Sequence, residues 1–573
     1  MGNAPSGHRR QIIARKRSAI QLSLPCTSDC SSSDSVDALD PQEPLREKQP
    51  TAIFLRNEPP QPEEPPHSFP AYLPTQDNVS STASSAYQEF LASFPEYRLT
   101  WIVDTLRRSD FTRLKGETYV DYMGGALYPE SLVRVHARFL DQGLLGNTHS
   151  VSNSSRLSVK SATEARSAVL SFFDAPPAEY TVVFTANATG ALKLVGESYP
   201  FTGGSNYVLS CDSHNSVNGI REFAAHRGAK TVYIPATKTG GFESSTAKNI
   251  LLRNRPRAKN SVPCLFALTG QSNITNTKNS LSILEYATSL GYHTLLDAAA
   301  LAATSTISLT DTPVDAMAVS FYKMHGYPTA VGALIVKKSF LKQLKRPWFA
   351  GGNVDVVQVP GTIVTRSHEI HEQFEDGTIN YLSLSAVTDG LTFLSAYLPF
   401  LPLRLSCLIH YLVSSLSKLQ HDTGTPALRI LSATPSRRLK SVGEQSDTGS
   451  IISLIFLDAS GTTIPNSFIE YSASRLNLSL RTGCMCNPGG AAAILCLQEG
   501  MKRLYEGVTL QDFERNMGHE LGVVRVSLGL ASNFQDAWTV VRFAQLMTVE
   551  RTRNILWKHY MNDSNAEIGQ AIQ

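Results

Sequence analysis

The sequence lacks several features that mark common classes of protein. Only eight of its 573 residues are cysteine, and these are irregularly spaced. Such sparse cysteines argue against the disulfide framework of a small secreted protein and favour a reducing compartment. The 52 basic residues nearly balance the 49 acidic ones, for a net charge of +3, so no overall positive field points to nucleic acid. A small molecule is the better default ligand.

Long uninterrupted apolar runs are also lacking. The most apolar region, residues 388–417, is broken by Pro399, Pro402 and Arg404, whereas a membrane-spanning helix needs about 20 mostly apolar residues in succession. We therefore expect no stable insertion into a membrane, and a cytoplasmic protein.

The first 85 residues are rich in proline and serine and poor in apolar side chains. Such a composition buries too little surface to offset the entropy of the chain, so residues 1–85 are expected to form a disordered tail. Two targeting signals compete in it. MGNAPS fits a loose myristoylation pattern, supported by the basic residues 9–17, and the lack of acidic residues before Asp29 suits a mitochondrial presequence. A plain disordered tail is favoured over either.

Beyond the tail, short apolar strands alternate with helices. The predicted strands cover residues 181–185, 207–211, 231–234, 264–268, 293–297 and 316–320. The predicted helices cover residues 84–94, 129–141, 191–198, 217–227 and 280–290. This alternation predicts an α/β fold with a mostly parallel central sheet and helices on both faces. Domains usually hold about 100 to 200 residues, and we assign residues 86–390 to this large domain and 391–573 to a smaller α+β C-terminal domain.

One lysine lies between two apolar strands. The segment DAMAVSFYK ends at Lys323 and is followed by a Gly/Pro turn and a second apolar run. A lysine enclosed by four apolar or aromatic residues loses water, which lowers its pKa and favours a covalent bond to a carbonyl compound. The four residues are Val319, Phe321, Tyr322 and Tyr327. The alternative is a lysine at a strand end whose ammonium group reaches solvent.

Polar residues gather where the predicted strands end, which is where open parallel sheets bind ligands. Asn187, Thr189 and Gly190 begin a helix after the first strand. Free N–H groups and a hydroxyl there suit a phosphate, although a capped helix start explains the same residues. His214 follows the second strand, as a ligand-stacking ring or a structural histidine. Asp297 ends the fifth strand.

Asp297 ends so apolar a strand that its carboxylate needs a cationic partner. A protonated pyridine nitrogen would serve. An aspartate about 26 positions before a lysine, a phosphate-type turn and a ring-bearing loop together indicate pyridoxal 5'-phosphate (PLP). The aspartate would keep the pyridinium charged, and the lysine would hold the cofactor covalently and move a proton.

These motifs carry a resemblance to a known family. The chain resembles class V aminotransferase-fold enzymes of the cysteine desulfurase type, and most closely the N-terminal domain of eukaryotic molybdenum cofactor sulfurases. The matching motifs are YVDYMGGALY (119–128), GNTHS (146–150), ATGALKLV (188–195), QSN (271–273), LDAAA (296–300), SFYK (320–323), FEDGTIN (374–380) and RTGCMCNPG (481–489). The resemblance implies the PLP-dependent transferase fold type I.

The resemblance also implies roles for single residues in cofactor binding. Lys323 would carry the cofactor, Asp297 would pair with its ring nitrogen, and His214 would stack on the ring and relay protons. The phosphate would be held by Thr189, Ser320 and Tyr322, and the cofactor hydroxyl by Asn273.

Two further implied roles concern a second subunit and the substrate. Gly377 and Thr378 would reach the phosphate of a neighbouring subunit, which implies a homodimer with shared sites. Arg525 would clamp the carboxylate of an amino-acid substrate, expected to be L-cysteine, because a planar guanidinium matches a carboxylate.

The sulfur chemistry depends on Cys484 and Cys486, in a loop bounded by glycine and proline. A thiolate on such an exposed, swinging loop could take the sulfur of cysteine as a persulfide and leave alanine. Similarity to desulfurases favours Cys486. Half of a metal site and a buried thiol are the alternative interpretations, but there is no second close Cys/His pair, so no metal is expected.

The sequence also departs from the family pattern. It ends at Gln573, before the β-barrel domain with which molybdenum cofactor sulfurases bind their cofactor, so the sulfur acceptor is unknown. Ala491 replaces a third cysteine, and Tyr122 and Met123 replace the usual His and Ala beside the substrate pocket. These changes are compatible with a paralogue that uses a different amino acid.

Three functions therefore remain open. The first is a desulfurase that hands persulfide sulfur to a separate acceptor. The second is a PLP-dependent C–S lyase, or another enzyme of this fold in specialised metabolism, with the two cysteines as relics. The third is a catalytically silent scaffold, against which the presence of Lys323, Asp297 and Arg525 argues.

Overall fold

A computed structural model describes residues 76–256 and 262–571. Residues 1–75, with both targeting signals and two cysteines, lie outside the described residues. The first helix, α1 (Gln76–Ser93), begins inside the predicted tail, so the predicted boundary at residue 85 is too late. Sequence patterns missed the start of α1 because its serine- and threonine-rich first half has no apolar periodicity.

The segment before the main sheet is mostly helical. It contains α2 (Trp101–Asp110), β1 (Thr118–Tyr119), α3 (Glu130–Gln142) and α4 (Asn153–Phe172). Short 3₁₀ helices precede α2 and follow it.

A seven-stranded sheet forms the centre of the fold. Its strands are β2 (Tyr180–Thr185), β3 (Asn206–Ser210), β4 (Lys230–Ile234), β5 (Leu265–Thr269), β6 (His293–Asp297), β7 (Ala316–Ser320) and β8 (Gly332–Lys337). They lie in the order β2-β8-β7-β6-β5-β3-β4. All neighbours from β4 to β7 pair in parallel, whereas β8 is antiparallel to β2 and β7. The mostly parallel sheet is therefore confirmed.

Helices cover both faces of this sheet. They are α5 (Ala188–Ser198), α6 (Asn215–Asn218), α7 (Ile220–His226), α8 (Ser244–Arg253), α9 (Ser282–Ser289), α10 (Phe321–His325) and α11 (Lys338–Leu341). The helix predicted over residues 217–227 is divided at Gly219 into α6 and α7.

Alternate residues of the buried strands pack into two separate hydrophobic cores, one on each face of the sheet. On β5, Phe266 faces one core and Ala267 the other. Helices α5 and α7 pack in the core of Ala267, while α4, α8 and α9 pack in the core of Phe266. Burial on both faces explains why these strands appear in the sequence as continuous apolar runs instead of alternating ones.

A hairpin of β9 (Val354–Val357) and β10 (Val364–Arg366) leads to the C-terminal part of the chain. That part holds α12 (Leu384–Tyr397), α13 (Leu401–Leu416), β11 (Leu428–Ile430), β12 (Ile451–Phe456), α14 (Asn466–Ser474), β13 (Leu478–Ser479), β14 (Arg481–Gly483), α15 (Pro488–Ile494), α16 (Gln498–Met501), α17 (Leu510–Met517), β15 (Val523–Ser527), α18 (Phe534–Thr548) and α19 (Glu550–Ala571).

A second sheet organises this C-terminal part. Its four antiparallel strands lie in the order β11-β12-β15-β14. The N-terminal segment contacts this sheet where Asp121 forms a bridge with Ser527 at the end of β15, and β1 pairs with β13 in a separate two-stranded sheet.

The apolar helices over residues 384–416 have the length and composition of a membrane span, with a mean hydropathy of 1.4. However, 61% of the apolar window is buried inside the protein. Arg404 lies in the middle of this region, fully buried, and forms an ion pair with Asp104. The helices over residues 384–416 thus pack as core helices do.

Candidate active site

A cleft opens at the carboxyl ends of the parallel strands, where the sheet topology predicts a ligand site. It is lined by Asn187, Ala188, Thr189, Leu192, His214, Ser216, Thr269, Gln271, Asn273, Asp297, Ala299, Ala300, Ser320, Tyr322 and Lys323. The structure thus brings together Asn187, from the predicted phosphate turn, and seven residues to which the resemblance assigned roles: Thr189, His214, Asn273, Asp297, Ser320, Tyr322 and Lys323.

Lys323 reaches the cleft from α10, the single helical turn after β7. Burial lowers the pKa of its ammonium group; the carboxylate of Asp297 opposes this shift, and the charge of Arg525 reinforces it. A lowered pKa leaves more of the amine uncharged and nucleophilic at neutral pH. Of the residues predicted to enclose it, Tyr322 lines the same cleft, whereas Val319 and Phe321 are buried in the hydrophobic core.

Asp297 ends β6 as a buried carboxylate with little protein support. Its only hydrogen bond within the described part of the chain comes from the Ala299 N–H, which donates to Oδ1 over 3.1 Å. No lysine, arginine or histidine of the described ranges lies within 4 Å of its carboxylate. A buried anion so weakly satisfied is costly, and a cationic ring nitrogen in the cleft would relieve that cost.

His214 presents a neutral ring to the cleft. Its Nδ1 accepts a hydrogen bond from the Ser216 N–H at 3.1 Å, so the ring proton belongs on Nε2. Burial lowers the pKa of His214, the Lys323 charge lowers it further, and Asp297 offsets part of the shift. A neutral imidazole can stack on a ring and exchange a proton through Nε2.

The first turn of α5 forms a cradle suited to an anion. Asn187 caps the helix, because its side-chain oxygen accepts from the Gly190 N–H at 2.9 Å. Ser320 Oγ accepts from the Ala188 N–H at 2.8 Å and keeps its own proton available to donate. The Thr189 hydroxyl lies beside these groups, 2.8 Å from Ser216 Oγ. Asn187 and Gly190 therefore build the helix start, and Thr189 and Ser320 are left to bind a phosphate.

Arg525 lies on β15 and is almost fully buried. Its Nη2 donates to Asp121 Oδ1 at 2.6 Å, and its Nη1 donates to the Asn273 carbonyl at 3.0 Å. Its Nε has no hydrogen-bond partner among the described residues. Arg481 lies 3.8 Å from the same Asp121 carboxylate. Two guanidinium groups thus flank Asp121, and Arg525 is held ready by protein groups.

Asn273 supports the cysteine loop as well as the cleft. Its Nδ2 donates to the carbonyl of Met485 at 2.6 Å, and its Oδ1 accepts from Asn487 Nδ2 at 3.2 Å. Its predicted contact with a cofactor hydroxyl stays a prediction.

The cysteine loop, residues 484–487, connects β14 to α15. Cys486 is exposed and Cys484 is half-buried. Burial raises the pKa of the Cys484 thiol, and the charges of Glu514 and Cys486 raise it further, which disfavours Cys484 as the thiolate. Exposure favours Cys486.

Hydrogen bonds to distant segments hold the backbone of this loop, and the prediction that the loop can swing stays a prediction. The Asn215 N–H donates to the Cys486 carbonyl at 2.7 Å, and the Met485 carbonyl is bound by Asn273. The amide of Asn487 donates to Asp212 Oδ1 at 2.7 Å. Sequence patterns could not show these contacts, because they join residues that are far apart in the chain.

Gly377 and Thr378 do not line the cleft of their own chain. Thr378 Oγ1 accepts from Asn147 Nδ2 at 3.4 Å, and Gly377 has a positive φ of 74° beside the Gly351 carbonyl. Their predicted role toward a neighbouring subunit stays a prediction.

The two departures beside the substrate pocket differ in position. Tyr122 is buried in the main core and packs edge-on against Tyr119, so it does not face the cleft. Met123 packs with Ala300, which does line the cleft.

Sequence reasoning missed several residues of the site. Asp121 and Arg481 stand inside motifs that were recognised, but without a role. Gln271 lines the cleft with both atoms of its buried amide lacking partners among the described residues. Orphaned polar atoms and the bare Asp297 carboxylate both fit a polar, ring-bearing ligand.

The sheet order, the lysine between β7 and β8 and the aspartate at the end of β6 are those of the PLP-dependent transferases of fold type I. Residues 118–537 match the model of the aminotransferase class-V family. The chain belongs to this family, whose members depend on PLP.

Among curated proteins, the chain is similar to molybdenum cofactor sulfurases. That of Solanum lycopersicum is 32% identical over 82% of this chain and 60% of its own length. That of Homo sapiens is 30% identical over 76% of this chain and 50% of its own length. The chain thus spans about half the length of the curated relatives it matches.

Among solved structures, the fold is similar to cysteine desulfurases. The apo cysteine desulfurase of Thermococcus onnurineus NA1 has a TM-score of 0.62 at 19% identity, covering 78% of this chain and 98% of that one. CsdA of Escherichia coli has a TM-score of 0.61 at 20% identity, covering 79% and 98%. This likeness supports the fold.

Proposed function

We propose that the protein is a PLP-dependent cysteine desulfurase of the molybdenum cofactor sulfurase type. It would take the sulfur of L-cysteine onto Cys486 as a persulfide and release alanine. The observation that carries this proposal is the exposed Cys486 thiol on a loop that is hydrogen-bonded to Asn215 and Asn273. Asn273 lines the lysine cleft, and Asn215 lies between the cleft residues His214 and Ser216.

The residues of the cleft suit PLP and divide its binding among them. Lys323 Nζ would hold the cofactor and then move a proton at the substrate Cα. Asp297 would face the ring nitrogen, and His214 would cover the ring with a neutral imidazole. When bound, PLP supplies a sink for the electrons released at Cα. Thr189, Ser320 and Tyr322 would bind the phosphate, and Asn273 the ring hydroxyl.

The sulfur transfer needs one nucleophile and one proton donor. The Cys486 thiolate attacks the sulfur of the bound substrate, so an S–S bond forms and the substrate C–S bond breaks. The electron pair of the broken bond stays on the substrate carbon, which takes up a proton and leaves as alanine. Lys323 and His214 are the groups placed to supply protons in the cleft.

Arg525 would bind the carboxylate of the substrate. It is aligned by Asp121 and by the carbonyl of Asn273, with Nε free of protein partners in the described ranges. A guanidinium group that the protein already holds in place loses little conformational entropy when it binds a carboxylate.

A homodimer is part of the same proposal. Exposed apolar side chains gather near the segments that carry Gly377 and Thr378, on the 140–151 loop and the β9–β10 hairpin: Leu144, Val151, Val356, Val359 and Ile363. Exposed apolar patches mark association surfaces, and a second subunit would place Gly377 and Thr378 beside the phosphate of its neighbour.

The sulfur would pass to an acceptor that reaches the exposed Cys486. A persulfide-forming thiol must stay reduced between turnovers. The six cysteines within the described ranges are all free. We therefore propose a reducing compartment, the cytoplasm.

Incubation of the purified holoprotein with L-cysteine tests the reaction. We expect alanine and persulfide sulfur in equal amounts, with both lost in Cys486→Ser. Undiminished turnover in Cys486→Ser, with free sulfide as product, would instead identify a C–S lyase. A colourless protein that refuses PLP would leave only the scaffold function.

A further inference from the structure

Asp212 is a fully buried carboxylate that is satisfied by neutral donors alone. Oδ1 accepts from Ser272 Oγ and Asn487 Nδ2, both at 2.7 Å. Oδ2 accepts from Thr275 Oγ1 at 2.7 Å and from the Gly241 N–H at 2.8 Å. Within the described ranges it forms no ion pair. Four donors offset the cost of burying the charge.

The donors come from separate segments that meet at Asp212. Asp212 itself begins the loop that carries His214, after β3. Ser272 and Thr275 belong to the loop after β5 that carries Asn273, and Asn487 belongs to the cysteine loop. One carboxylate therefore joins two walls of the cleft to the loop that presents the thiol.

The cysteine loop has a conformation that needs such support. Met485 and Cys486 adopt positive φ angles of 55° and 54°. The left-handed conformation is unfavourable for a non-glycine residue and persists only where the surroundings impose it. The bonds from Asn273 and Asn215 to this loop both start from segments that are fixed on or beside Asp212.

Close packing after the loop fixes its second end. At Gly489 an added Cβ would overlap with the Cys211 carbonyl, and at Gly490 it would lie 2.5 Å from Asp212 Oδ1. Only glycine lets the start of α15 approach residues 211–212 so closely. The hydrogen bond between Asp212 and Asn487 thus lies where residues 211–212 pack closely against the start of α15.

We infer that Asp212 is a positioning residue that holds the Cys486 loop against the cleft through Asn487. The backbone that carries the thiol is then held in place, and the hydrogen bond between Asp212 and Asn487 fixes the distance of the thiol from the bound substrate. The inference rests on the proposed function, in which Cys486 is the nucleophile. It assigns to Asp212 a role that goes beyond binding either cofactor or substrate.

Asp212→Asn in the PLP-loaded protein tests the inference. The amide keeps the size of the side chain but replaces one acceptor by a donor, which faces the amide of Asn487 or another donor. We expect faster hydrogen exchange in a peptide covering residues 484–490. The kcat for persulfide formation should fall about tenfold to a hundredfold, because small misplacements of a nucleophile cost that much. The KM for L-cysteine and the cofactor absorbance with L-alanine should not change.

Two further variants separate positioning from general damage. Asn487→Ser keeps a cap for Gly490 but cannot reach Asp212, and should reproduce the slow kcat and the faster exchange. The double variant Asp212→Asn/Asn487→Asp restores one donor and one acceptor. It should recover part of the lost kcat and part of the protection of the loop from hydrogen exchange. Asp315→Asn is the matched control, because Asp315 accepts from the Thr294 N–H at the opposite end of the sheet; it should leave kcat unchanged.

Two results would overturn the inference. One is an unchanged kcat and unchanged loop exchange in both Asp212→Asn and Asn487→Ser. The other is a parallel loss of kcat, cofactor absorbance and melting temperature that the double variant does not recover, which identifies a purely structural residue. If the wild-type protein forms no persulfide at all, the proposed function fails, whereas the exchange measurements still decide whether Asp212 holds the loop.

Discussion

Lys323 lies on α10, directly after β7, and Asp297 ends the neighbouring parallel strand β6; burial lowers the pKa of Lys323, and the Asp297 carboxylate opposes that shift. Sequence reasoning could find them because each follows a strand with a clear apolar pattern. It could not find the roles of Asp121 and Asp212. Their partners lie 404 and 275 positions away in the chain, and no periodicity connects such distant residues.

Asp297→Asn should slow turnover while the cofactor stays bound. The amide cannot balance a cationic ring nitrogen, and loss of one partner of a buried ion pair costs about 3–5 kcal/mol. We therefore expect turnover to fall by about two to four orders of magnitude, measured as alanine release, with cofactor absorbance retained. A loss smaller than about threefold would show that Asp297 does not face the ring nitrogen.

His325 makes stability depend on pH. Burial lowers the pKa of this fully buried ring to about 4. Because the unfolded state then binds more protons than the folded state, the stability conferred by the neutral ring is present above about pH 6.5 and declines as the pH falls toward 4. Between pH 7 and pH 5 the free energy of unfolding should fall by about 2 kcal/mol through this residue.

Denaturant unfolding of the wild type and His325→Asn at both pH values checks this expectation. The asparagine amide can replace the Nδ1–H that donates to the Tyr327 carbonyl at 2.8 Å. It does not titrate, so the variant should lose about 2 kcal/mol less between pH 7 and pH 5. Equal losses in the two proteins would contradict the assignment.

At the scale of elements, six of the seven strands of the main sheet, β2 to β7, were predicted to within about a residue at each end. Because these strands are buried on both faces of the sheet, they appear in the sequence as short apolar runs separated by polar loops. Elements with weaker patterns were missed, such as the start of α1 and the break at Gly219. The attachment of the cysteine loop was also missed, because tertiary hydrogen bonds create it.

Helix α10 depends on Gly326, which ends it with a φ of 81°. An added Cβ would overlap with the backbone of Leu127 and Tyr128. Gly326→Ala should therefore lower the free energy of unfolding by more than about 2 kcal/mol and reduce cofactor occupancy, because Lys323 lies on this turn. Denaturant melts and the cofactor absorbance measure both effects.

Gly424→Ala provides the control for backbone strain alone. Gly424 has nearly the same φ, 80°, but an added Cβ meets nothing within 4 Å. This variant should lose only about 1–2 kcal/mol and keep full cofactor occupancy. Equal effects of the two substitutions would contradict the proposed steric role of Gly326.

At the scale of the whole molecule, two sheets share one large core, and Asn273 in the cleft wall is hydrogen-bonded both to Arg525 and to the cysteine loop. Lys323 and Asp297 come from the seven-stranded sheet, whereas Arg525 and the cysteine loop come from the region of the four-stranded sheet. This architecture explains why the apolar helices over residues 384–416 are largely buried: they belong to the core that joins the two parts.

Val359→Asp tests the proposed association of two copies. Val359 is 84% exposed, at the turn of the β9–β10 hairpin. A charge in an apolar interface opposes association, so light scattering should show a shift from dimer toward monomer, with weaker PLP binding. Leu510→Asp on α17 alters another exposed apolar residue and should change neither. A wild-type monomer with full PLP occupancy would contradict the shared site.

Mass spectrometry of the peptide that contains Cys484 and Cys486, after the holoprotein has reacted with L-cysteine, shows directly whether Cys486 takes up the sulfur. We expect one added sulfur on Cys486, one alanine released for each sulfur bound, and no addition in Cys486→Ser. Continued alanine release with an unmodified peptide, or sulfur on Cys484 alone, would contradict the proposed role of Cys486.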